Sequence, residues 1–138
     1  RIFSEIIGCD GLPNLDNLTL MPRDKTDPFV SVVYEDTAVV TDTINDTLNP
    51  RWMPWHQRAF VLRVFDPKSS IFVGVFDRDG FSSDDLVGRV VIRPSKFVAN
   101  TEYLLHYNLY DFSTSSDPIM SMDERKAYGK IIIRLRIE

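Results

Sequence analysis

The sequence predicts an all-β protein, an eight-stranded antiparallel β-sandwich. Short apolar and β-branched runs recur along the whole chain, each broken by turn residues. The last stretch is the clearest of them. Ile131, Ile133, Leu135 and Ile137 alternate with Lys130, Ile132, Arg134 and Arg136, as a strand with two distinct faces requires.

Taken in order, residues 2–7 form the first strand, which ends near Gly8. A long loop over residues 10–28 leads to a second strand at 29–34 and a third, alternating apolar and polar, at 37–43. Asn49-Pro50-Arg51-Trp52 is a turn that Pro54 prolongs. The fourth strand spans 59–65, with Phe60, Leu62 and Val64 on one face. Residues 71–76 are an unbroken apolar run and predict a strand buried on both faces; residues 87–92 make the sixth. A turn with a short helical piece is expected at 94–101 and the seventh strand at 103–110. Ser121-Met122-Asp123-Glu124 matches a capping box and Gly129 suits a helix end, so at most one short helix is expected, near residues 122–128.

With 138 residues, 43% of them hydrophobic and 26% charged, the chain is expected to be one domain with a single core, 1–138. It contains no apolar run of roughly 20 residues and nothing resembling a signal peptide. It opens directly on strand-like sequence, which suggests a module cut from a longer protein. The net charge of −4 and the lack of a basic stripe argue against nucleic acid. A lone Cys9 excludes an internal disulfide and is expected to be a small buried residue. Trp52 and Trp55 are expected to pack. His56 and His106 lack partners at zinc spacing, and no Ser, His and Asp set can be paired, so no enzymatic activity is expected. Asn17 and Asn45 each open an N-glycosylation pattern of the kind that chance supplies in a chain rich in Ser and Thr.

The chemistry-bearing stretch is Asp77-Arg78-Asp79-Gly80-Phe81-Ser82-Ser83-Asp84-Asp85, with four carboxylates in nine residues. If Asp79 stays extended, Asp77 and Asp79 share a face, and a loop folding back brings Asp85 to the same place. Carboxylates this close repel one another unless a cation joins them, and an all-oxygen site suits the hard ion Ca²⁺. A solvated acidic turn would have the same composition. An EF-hand would need Gly and Glu where Ser82 and Gly88 stand. Asp77-x-Asp79 also matches the acidic pair of metal-dependent glycosyltransferases, but no phosphate-cradling Gly-rich loop accompanies it.

Four segments, in their order and spacing, resemble the C2 domain family across nearly the whole chain. They are Gly11-Leu12-Pro13-Asn14-Leu15-Asp16, Asp27-Pro28-Phe29-Val30, Thr47-Leu48-Asn49-Pro50-Arg51-Trp52, and Asp77-Arg78-Asp79 with Asp85-Leu86-Val87-Gly88. The resemblance implies a sandwich that binds Ca²⁺ between loops at one end and docks on anionic phospholipid membranes. Gly129-Lys130-Ile131, which opens one of the two permuted family topologies, here closes the chain, so the second topology is implied. By the same resemblance the Ca²⁺ ligands are Asp16, Asp27, Asp77, Asp79 and Asp85. The spacing between the two first-loop ligands departs from the family, with ten residues where about five are usual, so Asp24 is the alternative to Asp16. Ser82 sits where some members add a hydroxyl ligand. A second departure is the segment 53–59, which delays the aromatic Phe60 and is expected to lie away from the acidic loops.

The resulting expectation is a non-enzymatic, monomeric module, cytoplasmic at rest and peripheral to a membrane once calcium binds. Phe81 and the first-loop residues Leu18, Leu20 and Met21 are expected to enter lipid, with Arg78, Arg23 and Lys25 beside them facing anionic headgroups. Some C2 domains bind phosphoinositides through lysines on the strands that here span 29–43. Those residues contain no Lys or Arg, so that site is expected to be absent. Lys130, Arg134 and Arg136 are expected to form an ordinary solvated row. The alternative function is a calcium-independent protein-interaction scaffold.

Overall fold

A computed structural model describes residues 1–14, 26–78, 84–110 and 127–138. It contains the strands β1 (Ile2–Asp10), β2 (Pro28–Tyr34), β3 (Thr37–Val40), β4 (Ala59–Leu62), β5 (Ile71–Asp77), β6 (Asp85–Ile92), β7 (Glu102–Tyr110) and β8 (Ala127–Ile137). Every pairing is antiparallel, in the order β3-β2-β5-β6-β7-β8-β1-β4. β6 and β7 meet through the single pair Arg89 and Tyr110, so two four-stranded sheets join there and fold face to face. Gly88 permits the close approach, since a Cβ at that position would lie 2.9 Å from Leu109 Cβ. The open side is bridged where the Asp42 N–H donates to Gln57 O and Gln57 Nε2 donates to Val40 O. The expected eight-stranded sandwich is thus the observed fold.

Alternation puts the core between the sheets. Val30, Val32, Val73 and Val75 from one sheet meet Ile2, Ile6, Ile131, Ile133 and Leu135 from the other. Each such side chain contributes about 1.5–3 kcal/mol on burial. Trp52 is buried as expected, and its indole N–H donates to Asp42 O at 2.8 Å. Trp55, by contrast, is exposed, against the expectation that it packs. It rides on a turn closed by Met53 N–H to His56 Nδ1 and His56 N–H to Met53 O. Cys9 is buried as expected, and burial holds its thiol pKa well above the ordinary range. The arginine row of β8 is indeed solvated and paired: Arg134 bridges Glu5 and Glu102, and Arg136 meets Glu138.

Four elements depart from the sequence reading. β3 stops at Val40 because Thr41 turns inward, its Oγ1 accepting the Val30 N–H at 2.9 Å in place of a strand carbonyl. β4 ends at Leu62, short of residue 65. Residues 127 and 128 are strand, with Ala127 paired to Tyr110, and residues 122–126 of the expected helix lie outside the described residues. Gly129 therefore ends no helix. It sits inside β8 at φ +88°, where a Cβ would lie 2.7 Å from Asp10 O. Lastly, β5 is not buried on both faces: Ile71, Val73 and Val75 point inward, while Phe72 is 54% exposed. The helical piece at 94–101 is a single 3-10 turn, Pro94–Lys96.

The connections 11–27, 41–58, 78–84 and 111–126 all leave from one end of the sandwich. At the other end the first and last residues pair, with Arg1 and Glu138 exchanging backbone hydrogen bonds at 2.8 Å.

Candidate functional site

Strand register gathers three of the sequence-derived aspartates at that loop end. Pro28 pairs with Asp77 on one side, and Asp85 pairs with Asp77 on the other. Asp27, one residue before Pro28, thereby stands beside them. Asp77 closes β5 on its inward face and is only 5% exposed. Its Oδ1 accepts the Asp27 N–H at 2.9 Å, and the Arg78 N–H donates to Asp27 O at 3.0 Å. Asp27 Oδ1 in turn accepts the Asp46 N–H. Each of these two carboxylates is therefore oriented by a backbone N–H.

Arg78, next in the chain after Asp77, places its guanidinium 4.8 Å from the centre of the Phe29 ring, a cation–π contact. Among the described residues neither Asp27 nor Asp85 makes an ion pair.

The Asp46 contact escapes the sequence reading. Residues 44–47 run along the Asp27 segment, through Ile44 N–H to Pro28 O and Thr47 N–H to Thr26 O. Asp46 has φ +55°, and this left-handed backbone aims its N–H at Asp27. The Asn45-Asp46 pair is the turn signal that could have located it. Thr26, fully buried with its hydroxyl donating to Pro13 O at 3.2 Å, anchors the loop just before Asp27. Asn49 Oδ1 takes the Gly11 N–H at 2.9 Å and ties the start of the same loop to the Asn-Pro turn. The excursion at 53–59 hangs instead on Asp42 and Val40, at the open side of the sandwich.

The donor set fits a hard cation, since it comprises carboxylate oxygens alone, one of them deeply buried. Among the described residues no three His, Cys, Asp or Glu side chains converge as a metal group. Asp16, Asp79, Asp24 and Ser82 lie outside the described residues, as do Phe81, Leu18, Leu20, Met21, Arg23 and Lys25.

The strand order and the loop-end aspartates define an antiparallel β-sandwich with one acidic end, and comparison with known proteins identifies the family. The sequence profile of the C2 domain matches residues 1–109. The chain belongs to the C2 domain family. It is 39% identical over 69 residues to human Intersectin-1, covering 50% of this chain and 4% of that protein. It is 31% identical over 115 residues to Multiple C2 domain and transmembrane region protein 14 of Arabidopsis thaliana, covering 75% and 11%. The chain thus spans a small fraction of the curated relatives it matches. In structure it is similar to the first C2 domain of plant Extended Synaptotagmin 1, with a TM-score of 0.74, 19% identity, and 98% and 91% of the two chains covered. A calcium-bound structure of the paired C2 domains of Extended Synaptotagmin 2 gives a TM-score of 0.72 at 19% identity, covering 98% and 44%. Membership supports a membrane- and lipid-binding module at the general level, of a kind that is typically non-catalytic. Among the described residues no helix is long and apolar enough to cross a membrane.

Proposed function

We propose that this domain binds Ca²⁺ at its acidic end and, in doing so, docks on anionic phospholipid membranes. The observation that carries the reading is the buried Asp77 carboxylate held by the Asp27 N–H, with Asp27 itself held by Asp46. Burying a carboxylate among other carboxylates is costly unless a cation shares the site, and here backbone donors orient both side chains.

Asp27, Asp77 and Asp85, with Asp79 and Asp16 from the adjoining loops, are the residues that hold the ion. Bound Ca²⁺ supplies positive charge and coordination positions for lipid phosphate or carboxylate oxygens. The chain's own part is to hold Asp27 beside the buried Asp77 at the end of the sandwich, through Thr26, Asp46 and the β2–β5–β6 ladder. While these carboxylates are uncompensated, they repel an anionic surface. Arg78, exposed beside them, contributes about 1 kcal/mol near such a surface once the acidic charge is offset. A sandwich so connected need not rearrange to switch. The domain is then cytoplasmic and monomeric at rest and peripheral to the membrane when calcium rises.

Calorimetric titration with CaCl₂, with parallel sedimentation of phosphatidylcholine–phosphatidylserine vesicles in Ca²⁺ or EGTA, tests this. The expected result is a binding heat and calcium-dependent co-sedimentation, with about 4 kcal/mol of stabilisation at 1,000-fold excess over Kd. No heat and no stabilisation would replace this reading with the calcium-independent scaffold.

A further inference from the structure

Nearly every polar atom of Asp27 is engaged by the chain itself. Its N–H donates to Asp77 Oδ1 at 2.9 Å, and its carbonyl accepts the Arg78 N–H at 3.0 Å. Its Oδ1 accepts the Asp46 N–H at 2.6 Å. Among the described residues Oδ2 accepts no hydrogen bond. The first two partners belong to β5 and the residue after it, where strand register puts them. The third comes from the connection between β3 and β4, which contributes no residue to the expected ligand set.

That third bond does what the other two cannot. Holding the Asp27 backbone still leaves its side chain free to turn among three staggered χ1 wells and a broad χ2. A hydrogen bond to one carboxylate oxygen selects one arrangement and directs the other oxygen. Ordering a ligand before the ion arrives removes a cost from binding, because its rotamer freedom is already lost.

The donor is aimed by an irregularity in the chain. Residues 44–47 lie along the Asp27 segment through Ile44 N–H to Pro28 O at 3.0 Å and Thr47 N–H to Thr26 O at 2.9 Å. Three steps of chain between Ile44 and Thr47 thus face two between Pro28 and Thr26, so one residue is extra, as in a β-bulge. Asp46 lies inside this stretch at φ +55°, a left-handed backbone that Gly, Asn and Asp tolerate and β-branched residues do not. The extra residue takes the Asp46 N–H out of the backbone ladder and onto the Asp27 side chain. Bulges re-aim groups in this way beside functional sites.

We infer that Asp46 is a positioning residue of the cation site, whose backbone N–H fixes the Asp27 carboxylate with Oδ2 left to ligate. The inference rests on the calcium reading above. It adds to that reading a stretch of chain that supplies no ligand and yet sets the affinity, through backbone conformation and not through the charge of residue 46.

The test compares Asp46→Asn, Asp46→Gly and Asp46→Val in the whole domain, by calorimetry with CaCl₂ and by thermal melting and ¹⁵N–¹H spectra in EGTA. Asn and Gly keep the left-handed turn and should bind calcium much as the parent does. Val should bind about tenfold more weakly or worse, the usual effect of losing a group that orients a metal ligand. Thr41→Val removes the hydroxyl that accepts the Val30 N–H, farther along β2. It should lower the melting temperature and leave calcium affinity unchanged. In EGTA the parent's Asp46 amide should lie far downfield, as a donor to a carboxylate does, and Asp27→Ala should move it upfield. The inference alone is overturned, and the calcium reading stands, if the parent binds calcium and Asp46→Val binds it equally well. The same holds if the Asn and Gly variants lose as much affinity as Val, if Thr41→Val weakens binding as much, or if Asp27→Ala leaves the Asp46 amide in place. A parent that gives no calcium heat overturns both.

Discussion

The backbone N–H of Asp27 donates to Oδ1 of Asp77 at 2.9 Å, joining two acidic segments that lie fifty residues apart in the chain. The bond makes one side chain both an element of the fold and a member of the candidate cation site. Those two roles separate on substitution. Asp77→Asn keeps an acceptor oxygen and removes a charge, so the calcium-free protein should be as stable as the parent or more so while the calcium heat is lost. Asp77→Ala leaves the Asp27 N–H without its acceptor and should cost about 1–3 kcal/mol in urea unfolding. Unchanged calcium affinity in both variants would remove Asp77 from the site.

The lengthened first loop offers Asp16 or Asp24 as the remaining ligand. Asp16→Asn should weaken calcium binding sharply, and Asp24→Asn should change it little, by calorimetry under identical buffer. The reverse pattern would move the ligand to Asp24.

Phe81 stands between Asp79 and Asp85 in an otherwise polar loop sequence. A solvent-sensitive dye at residue 81 should shift to the blue only when Ca²⁺ and anionic vesicles are both present. Phe81→Ala should weaken vesicle binding by about 1.5–3 kcal/mol, the value of one buried apolar side chain. Calcium-dependent binding with neither effect would mean docking by charge alone.

Cys9 supplies a pH dependence. Burial raises its thiol pKa in the folded state, so the folded protein keeps the proton that the unfolded chain gives up. The corresponding stability is fully present below the ordinary thiol range and declines as pH rises above it, by about 1.4 kcal/mol per pH unit. Urea unfolding between pH 8 and 10.5 should show that slope, and Cys9→Ala should flatten it relative to the parent. Equal slopes in the two proteins would show that other groups dominate.

Much of this protein was legible from its residues taken in order. Period-two alternation in residues 131–137 specifies strand and face together, because successive side chains must point to opposite sides. The acidic character of Asp77 and Asp85, and the turn at Asn49-Pro50, are local properties of the same kind. What local sequence does not encode is which backbone groups a side chain will meet. Asp46 reaches Asp27 only because residues 44–47 are laid along β2, and Gly129 is a close-contact residue only because β8 inserts beside Asp10. Thr41 ends β3 through a hydroxyl that fits its ladder, where alternation alone would have carried the strand on. The open face of β5 is the plainest case. An apolar run records that both sides suit burial, whereas the sandwich has a partner sheet for only one of them, so the tertiary structure decided that Phe72 would be left facing outward.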